Sequence, residues 1–272
     1  MSRIARRFAA LRAEGRGALI PYVEACDPDF ATSIALLKAM PGAGADLIEI
    51  GMPFSDPSAD GPVIQLAAQR GLAAGATLDR LLEMVRAFRE DDSETPLIVM
   101  GYLNPIESYG YERFCQVAAE AGVDGLIVVD MPPEESAALE KFMEPAGLDM
   151  IRLVAPTTTD ERLKLVLGHA SGFVYYVSIT GITGTRSASA ADLEAALPRL
   201  RAATDLPIVI GFGIRTPEQA AQAAGIADGA VVASALLATL SETLDQDLAP
   251  TKETLPRVLA QLEELSKAVR QR

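Results

Sequence analysis

A single carboxylate stands inside an apolar run, Leu47-Ile48-Glu49-Ile50, which predicts a buried strand. Glutamate is depleted in strands and is rarely buried unless a partner holds it. Apolar surroundings raise the pKa of a carboxyl group, which suits a group that takes and gives protons near neutral pH. We therefore predict that Glu49 is a general acid–base. The alternative is a structural carboxylate paired with a basic residue, and Arg186 is the one basic residue that we expect on nearby loops.

The loop after this strand carries a second acidic candidate. It runs from Gly51 to Pro62, is dense in Pro, Gly, Ser and Asp, and has Asp60 near its far end. Because proline favours the first turn of a helix, we expect a helix to start after Gly61. The loop can then fold back and bring Asp60 to Glu49. The alternative is that Asp60 only shapes a turn.

Two loops predict a phosphate site, and a third predicts a lid. Gly211-Phe212-Gly213-Ile214 and Ala233-Ser234-Ala235 each follow an apolar run and lead into a helix. Backbone N–H groups and the positive end of a helix bind phosphate in such loops. The stretch from Gly181 to Arg186 has the composition of a lid. The alternative for each glycine is a tight turn.

Composition excludes several kinds of partner. The 272-residue chain has a net charge of −13, which argues against a nucleic acid or an anionic membrane surface. Cys26 and Cys115 lie far apart in apolar contexts, so we predict no disulfide, no thiolate metal site and a reducing compartment. His169 ends a predicted helix, where we expect it to be solvated, and no other histidine is available for a triad or a metal site. We predict no bound metal.

No stretch approaches the roughly 20 apolar residues of a membrane span. Residues 1–14 have the pattern of an amphipathic helix and lack a signal-peptide core. We expect a soluble, cytoplasmic protein.

Eight apolar runs alternate with helical patterns. The runs do not alternate polar with apolar residues, which is typical of parallel strands buried on both faces. They are Ala18 to Ala25, Leu47 to Ile50, Leu97 to Met100, Leu126 to Val129, Met150 to Val154, Phe173 to Val177, Ile208 to Ile210 and Ala230 to Val232. Helices are predicted over 29–40, 77–89, 111–120, 133–143, 160–169, 192–203, 217–223, 234–240 and 256–272.

This pattern predicts an α/β fold, a (β/α)₈ TIM barrel with an extra N-terminal helix and a C-terminal helix, in one domain over residues 1–272. The alternative is an open doubly wound sheet, which the missing dinucleotide fingerprint disfavours. Four glycines, Gly44, Gly122, Gly147 and Gly225, stand between a helix and a strand, where we expect them to end the helix in the left-handed conformation.

In such a barrel the chemistry lies at the carboxyl ends of the strands. The residues expected at this rim, besides Glu49 and Asp60, are Tyr22, Glu24, Asp27, Tyr102, Asn104, Asp130 and Tyr175.

The stretch from Glu49 to Pro62, Glu-Ile-Gly-Met-Pro-Phe-Ser-Asp-Pro-Ser-Ala-Asp-Gly-Pro, resembles the signature of the tryptophan synthase alpha chain family. Similar stretches are Asp130 to Glu135, Gly172 to Ser178, Thr180 to Gly184 and Gly211 to Ile214. The resemblance extends over nearly the whole chain.

The resemblance implies a lyase of tryptophan biosynthesis that cleaves indole-3-glycerol phosphate to indole and glyceraldehyde 3-phosphate. By analogy, Glu49 protonates the ring carbon and removes the side-chain hydroxyl proton, and Asp60 holds the indole N–H. Tyr175 would assist near the glycerol chain. The implied substrate-binding residues are Tyr22, Met100, Tyr102, Ile127, Thr183 and Phe212, and the implied phosphate-binding residues are Gly184, Gly213, Ala233 and Ser234.

The resemblance also implies a partner. A beta chain carrying pyridoxal phosphate would receive indole through a tunnel in an α2β2 heterotetramer, and this chain would need no cofactor. Loops 53–60 and 102–105, with Pro132, would face the beta chain. The alternatives are a stand-alone lyase that releases indole, a non-catalytic barrel that activates a partner, and a phosphosugar isomerase, which lacks a second acid–base group here.

Four residues depart from the family pattern. After the first strand the family usually has Thr-x-Gly-Asp-Pro, where this chain has Glu24 for Thr and Cys26 for Gly. Ser58 stands where the family has Leu, and Ala233 where it has Gly. We expect Glu24 to add a carboxylate at the rim, where it could repel the phosphate or perturb the pKa of Glu49. The Cβ of Ala233 could crowd the phosphate.

Overall fold

A computed structural model describes residues 1–177, 190–211 and 213–271. In these ranges the strands form one parallel sheet in the order β5-β4-β3-β2-β1-β9-β8-β7-β6. The strands are β1 (Ala18–Glu24), β2 (Ile48–Gly51), β3 (Leu97–Gly101), β4 (Gly125–Val128), β5 (Asp149–Met150), β6 (Arg152–Val154), β7 (Val174–Val177), β8 (Ile208–Gly211) and β9 (Gly229–Val232).

The two ends of this sheet are one interrupted strand. Only Ile151 separates β5 from β6, and its N–H donates to the carbonyl of Leu126 on β4 over 2.9 Å. The sheet is therefore a nearly closed barrel with eight strand positions, which confirms the predicted (β/α)₈ fold.

Helices cover the outside of the barrel. They are α1 (Arg3–Ala13), α2 (Phe30–Ala39), α3 (Pro62–Ala73), α4 (Leu78–Arg89), α5 (Leu103–Tyr109), α6 (Tyr111–Ala121), α7 (Ala137–Ala146), α8 (Asp160–Gly168), α9 (Ala190–Arg201), α10 (Pro217–Ile226), α11 (Ser234–Glu242) and α12 (Thr254–Arg270). Each predicted helix is present, although the one predicted from Pro133 begins as a 3₁₀ turn, Pro133–Glu135. The short α5 and the full length of α3 were not predicted.

The extra N-terminal helix closes the amino-terminal end of the barrel. Ile4, Phe8 and Leu11 of α1 are buried with the side chains of the barrel interior, and the rings of Phe8 and Phe173 lie 5.8 Å apart. Arg3 pairs with Asp124 over 2.9 Å, just before β4. Because α1 seals this end, the opposite, carboxyl-terminal rim is left for a ligand.

The prediction that a glycine ends the helix is correct at two junctions and wrong at the other two. Gly122 and Gly147 cap α6 and α7 with φ values of 103° and 72°, as the left-handed helix end requires. Gly44 also has a positive φ, 102°, but α2 already ends at Ala39, so Gly44 lies in the turn that follows the helix. In those three, an Asp follows the glycine after one residue. At the fourth junction Asp228 follows Gly225 after two residues. There α10 continues through Gly225 to Ile226 and ends at Ala227, which has an extended backbone.

Candidate active site

Glu49 lies in the middle of the barrel wall. It is on β2 and is the register partner of Tyr22 on β1 and of Ile98 on β3. Its side chain is fully buried, and neither carboxylate oxygen has a hydrogen-bond partner among the described residues. Burial raises the pKa of Glu49 to about 8. A carboxyl group in this state keeps its proton at neutral pH and can donate it to a substrate.

Asp60 is held at the rim by Tyr102. The Tyr102 hydroxyl donates to Oδ2 of Asp60 over 2.9 Å and accepts the N–H of Ala59 over 3.0 Å. The rings of Phe54 and Tyr102 lie 5.4 Å apart, which anchors the start of the same loop. The loop after β2 therefore folds back over the strand end, as its sequence predicts. Burial raises the pKa of Asp60, and the Tyr102 hydrogen bond opposes this shift.

Glu49 and Asp60 line one pocket at the carboxyl ends of the strands. The pocket encloses about 560 Å³ of space, including the part open to solvent. Its lining residues are Tyr22, Glu49, Asp60, Ile64, Met100, Tyr175, Gly213, Ile214, Arg215, Val231, Ala233 and Ser234. The sequence-predicted candidates Tyr22, Met100, Tyr175, Gly213, Ala233 and Ser234 are thus brought together with the two carboxyl groups.

Tyr175 faces the same interior from β7 and is buried. Burial and the nearby charge of Glu49 raise the pKa of Tyr175 well above its usual range, so the phenol keeps its proton. A Cβ at Gly211 on the neighbouring strand would lie 2.0 Å from the Tyr175 hydroxyl oxygen. Gly211 therefore leaves the room that the phenol occupies.

Two candidates lie outside the described pocket lining. Tyr102 acts on Asp60 instead, and Ile127 is buried in the barrel interior. The predictions for Thr183, Gly184, Phe212 and the whole lid fall on residues outside the described ranges.

The described residues that we predicted to bind phosphate, Gly213, Ala233 and Ser234, lie at one end of the pocket. Gly213 has a φ of 79°, and Ala233 directly precedes α11, which begins at Ser234. The positive end of α11 therefore faces the pocket, together with the exposed Arg215. Such an end of a pocket attracts an anion.

The expectation that Arg186 is the one basic residue on the nearby loops is wrong. Arg215 lines the pocket, and Arg70 on α3 binds Asp27 over 2.7 and 2.8 Å. Arg70 was missed because the length of α3 was not predicted. Arg215 directly follows the predicted loop Gly211 to Ile214, and that position was the available signal. Ile64, Ile214 and Val231 were also missed, since apolar residues carry no distinguishing pattern.

Glu24 is not an open carboxylate of the rim. It is 2% exposed and accepts a hydrogen bond from the Tyr22 hydroxyl over 2.5 Å. Burial raises the pKa of Glu24 well above its usual range, while the hydrogen bond from Tyr22 opposes this shift. A buried, hydrogen-bonded carboxyl group of this kind is not placed to repel a phosphate at the mouth.

His169 lies at the end of α8, as predicted, but it is half-buried and not simply solvated. Its Nδ1 lies 2.8 Å from Oε2 of Glu140. Within the described ranges no three His, Cys, Asp or Glu side chains gather as a metal site. None of the described helices is long and apolar enough to cross a membrane.

A family model for the tryptophan synthase alpha chain matches residues 8–270. The chain belongs to the tryptophan synthase alpha chain family. Alpha chains from Gluconacetobacter diazotrophicus and Gluconobacter oxydans are 72% and 69% identical to it over 270 residues. These matches cover 99% of this chain and 98% and 100% of the relatives.

Solved structures of tryptophan synthases have the same fold. The alpha subunit from Legionella pneumophila str. Paris has a TM-score of 0.90 at 42% identity, covering 99% of this chain and 98% of its own. A chain of Mycobacterium tuberculosis tryptophan synthase has a TM-score of 0.89 at 38% identity, with the same coverage. The resemblance in the sequence is thereby confirmed, and with it the assignment to the lyases of tryptophan biosynthesis that act beside a beta chain.

Proposed function

We propose that this pocket cleaves indole-3-glycerol phosphate by a retro-aldol reaction to indole and glyceraldehyde 3-phosphate. The family assignment supports this reaction, and Glu49 is the observation that carries it. Glu49 is a fully buried carboxyl group without a hydrogen-bond partner among the described residues, and its pKa is about 8. It lines a pocket that also contains Asp60 and Tyr175.

In the proposed reaction Glu49 acts first as an acid and then as a base. It donates its proton to the indole ring carbon that bears the side chain, and positive charge spreads to the ring nitrogen. The resulting Glu49 carboxylate removes the proton of the side-chain hydroxyl. The carbon–carbon bond then breaks, its electron pair restores the aromatic ring, and the hydroxyl carbon becomes an aldehyde. Glu49 ends with the proton it had at the start.

Asp60 has the position and the charge to stabilise this intermediate. Its carboxylate would accept the indole N–H and balance the positive charge of the protonated ring. Tyr102 fixes the carboxylate through the 2.9 Å hydrogen bond. We propose that Tyr175 assists near the hydroxyl groups of the glycerol chain.

The two ends of the pocket suit the two ends of the substrate. Tyr22 and Met100 offer an apolar surface to the indole ring, and we propose Ile127, Phe212, Tyr102 and Thr183 as further substrate-binding residues. At the other end, Gly213, Ala233, Ser234 and Arg215 surround the start of α11 and suit the phosphate. Gly184 remains a proposed phosphate ligand.

We further propose an α2β2 heterotetramer in which a beta chain carries the pyridoxal phosphate and this chain carries no cofactor. The exposed segment from Ser55 to Ala59 adjoins Asp60 at the rim, which supports an interface beside the pocket. A cytoplasmic location agrees with an enzyme of amino-acid biosynthesis that has two free cysteines.

The test is the release of indole from indole-3-glycerol phosphate by the purified chain, with and without a beta chain. We expect slow turnover that the beta chain accelerates. Glu49→Gln should reduce turnover by about 10²-fold or more, as loss of a general acid–base does. Full turnover without a beta chain, and no complex in sedimentation, would favour the stand-alone lyase. No turnover under any condition would overturn the lyase assignment.

A further inference from the structure

Tyr22 and Glu24 form a buried pair at the end of β1. The two residues lie on the same face of the strand, because side chains two positions apart share a face. The Tyr22 hydroxyl donates to Oε2 of Glu24 over 2.5 Å, and both side chains are buried. A Cβ at Gly51 on β2 would lie 1.9 Å from the Tyr22 oxygen and 2.3 Å from Oε2 of Glu24. Gly51 thus provides the space that this pair fills.

Glu49 is a second acceptor beside Tyr22, since its charge acts on the Tyr22 phenol. Tyr22 and Glu49 are register partners on adjacent strands, and both line the pocket. A phenol has one hydrogen and donates it to one acceptor at a time. In the described structure that acceptor is Glu24, whereas the two oxygens of Glu49 have no partner there.

We propose that Glu24 is a positioning residue that holds the Tyr22 hydroxyl hydrogen away from Glu49 and so keeps the Glu49 carboxyl group without a hydrogen-bond donor. The inference rests on the proposed function, in which Glu49 must hold a proton that it can give to the substrate. A hydrogen bond to the carboxylate would favour its charged form and lower its pKa. Glu24 would therefore act on catalysis through Tyr22, without touching the substrate.

Glu24 can do this without adding charge beside Glu49. Burial raises the pKa of Glu24, the charges of Asp60 and Asp27 raise it further, and the Tyr22 hydrogen bond and Arg70 oppose the shift. The direction of this pKa shift favours the neutral form of the Glu24 carboxyl group. The amide of a glutamine can therefore replace it as the hydrogen-bond acceptor of Tyr22. Among the described residues that line the pocket, the other ionisable groups belong to Asp60, to Tyr175 on β7 and to Arg215 after β8, while β3 carries none.

The experiment compares the pH dependence of kcat/KM for indole release in wild type and four variants. Glu24→Gln keeps an acceptor for Tyr22, and Glu24→Met removes it at similar volume. Tyr22→Phe removes the donor, and the double variant removes both. The same proteins, labelled with ¹³C in the glutamate carboxyl carbons, allow the Glu49 signal to be titrated by NMR without substrate. If Glu24→Met does not fold, Glu24→Ala removes the acceptor without adding bulk.

In wild type we expect kcat/KM to fall as the pH rises past about 8. In Glu24→Met the fall should begin about one pH unit lower, so kcat/KM should drop about tenfold from pH 6 to pH 8 in this variant, against about twofold in wild type. Glu24→Gln should keep the wild-type profile shape. Adding Tyr22→Phe to Glu24→Met should return the profile to its wild-type position, because no hydroxyl remains to bind Glu49.

A merely structural role for Glu24 gives a different result. Activity would then fall by the same factor at every pH, the Glu49 carboxyl signal would titrate as in wild type, and Tyr22→Phe would not restore the profile. Any of these results would overturn the inference. Failure of the proposed function is separate, since it would appear as no indole from wild type, and the NMR titration would still decide the role of Glu24.

Discussion

The hydroxyl group of Tyr102 lies 2.9 Å from Oδ2 of Asp60 and ties the loop after β2 to the end of β3. The same oxygen accepts the backbone N–H of Ala59, so one side chain fixes both the loop and its carboxylate. The orientation of Asp60 toward the pocket therefore depends on a residue that is not among the described lining residues.

Tyr102→Phe should lower kcat/KM for indole release by about tenfold, since hydrogen bonds to charged groups contribute about 1.5–3 kcal/mol. The melting temperature should change little. Tyr109→Phe is the matched control, because its hydroxyl also donates to a carboxylate, Asp79, but at the surface. A rise in KM with kcat unchanged would show that Tyr102 only binds the substrate and does not act through Asp60.

Glu49→Gln should stabilise the fold increasingly as the pH rises. The pKa of Glu49 is about 8 in the folded chain against 4.5 as its ordinary value, so below pH 4.5 the group is neutral in both states. Between pH 4.5 and pH 8 the Glu49 carboxyl group ionises in the unfolded chain but stays protonated in the folded one. The stability of wild type therefore falls as the pH rises through this range, by at most about 5 kcal/mol. Urea unfolding of both proteins at pH 5 and pH 8 measures the difference. A difference that does not change with pH would contradict the raised pKa.

The ion pair of Arg70 and Asp27 should contribute to stability far more than an exposed pair. The Asp27 side chain is 1% exposed, so Arg70→Met leaves a buried carboxylate without its partner and should cost about 3–5 kcal/mol. Adding Asp27→Asn should recover part of this loss. The control is Arg257→Met, whose partner Glu242 is exposed, and it should cost less than about 1 kcal/mol. Equal losses in urea unfolding would contradict the prediction.

Arg215 should contribute to substrate binding through its charge. Arg215→Gln is expected to raise KM for indole-3-glycerol phosphate by about 5–10-fold with little change in kcat, and the effect should shrink at high salt. Arg12→Gln makes the same change of charge on α1, at the other end of the barrel. If both variants behave alike, Arg215 acts only through net charge.

The sequence was sufficient to predict the barrel and its central carboxyl group. Continuous apolar runs bounded by glycine and proline predict parallel strands, and a charged residue inside such a run stands out. Asp60 does not stand out in the same way, because an Asp before Gly-Pro has an ordinary role in turns. Its placement depends on Tyr102, which lies 42 positions away in the chain.

Other features depend on packing that local sequence does not encode. The pairing of Tyr22 with Glu24 needs burial and the space above Gly51, so Glu24 was expected at an open rim. The helix α5 is too short for a periodic pattern, and Gly225 differs from the other junctions by a single residue in spacing. Tertiary contacts thus decide the position of Glu24, whereas a short element and a shifted spacing account for α5 and Gly225.

The central claim is that Glu49 is protonated at neutral pH and can therefore give a proton to the substrate. A ¹³C NMR titration of the glutamate carboxyl carbons tests this claim most directly, with Glu49→Gln to assign the signal. We predict that the signal absent from Glu49→Gln titrates near pH 8 in wild type. Titration of that signal between pH 4 and 5, as for an ordinary exposed glutamate, would contradict the proposed role of Glu49.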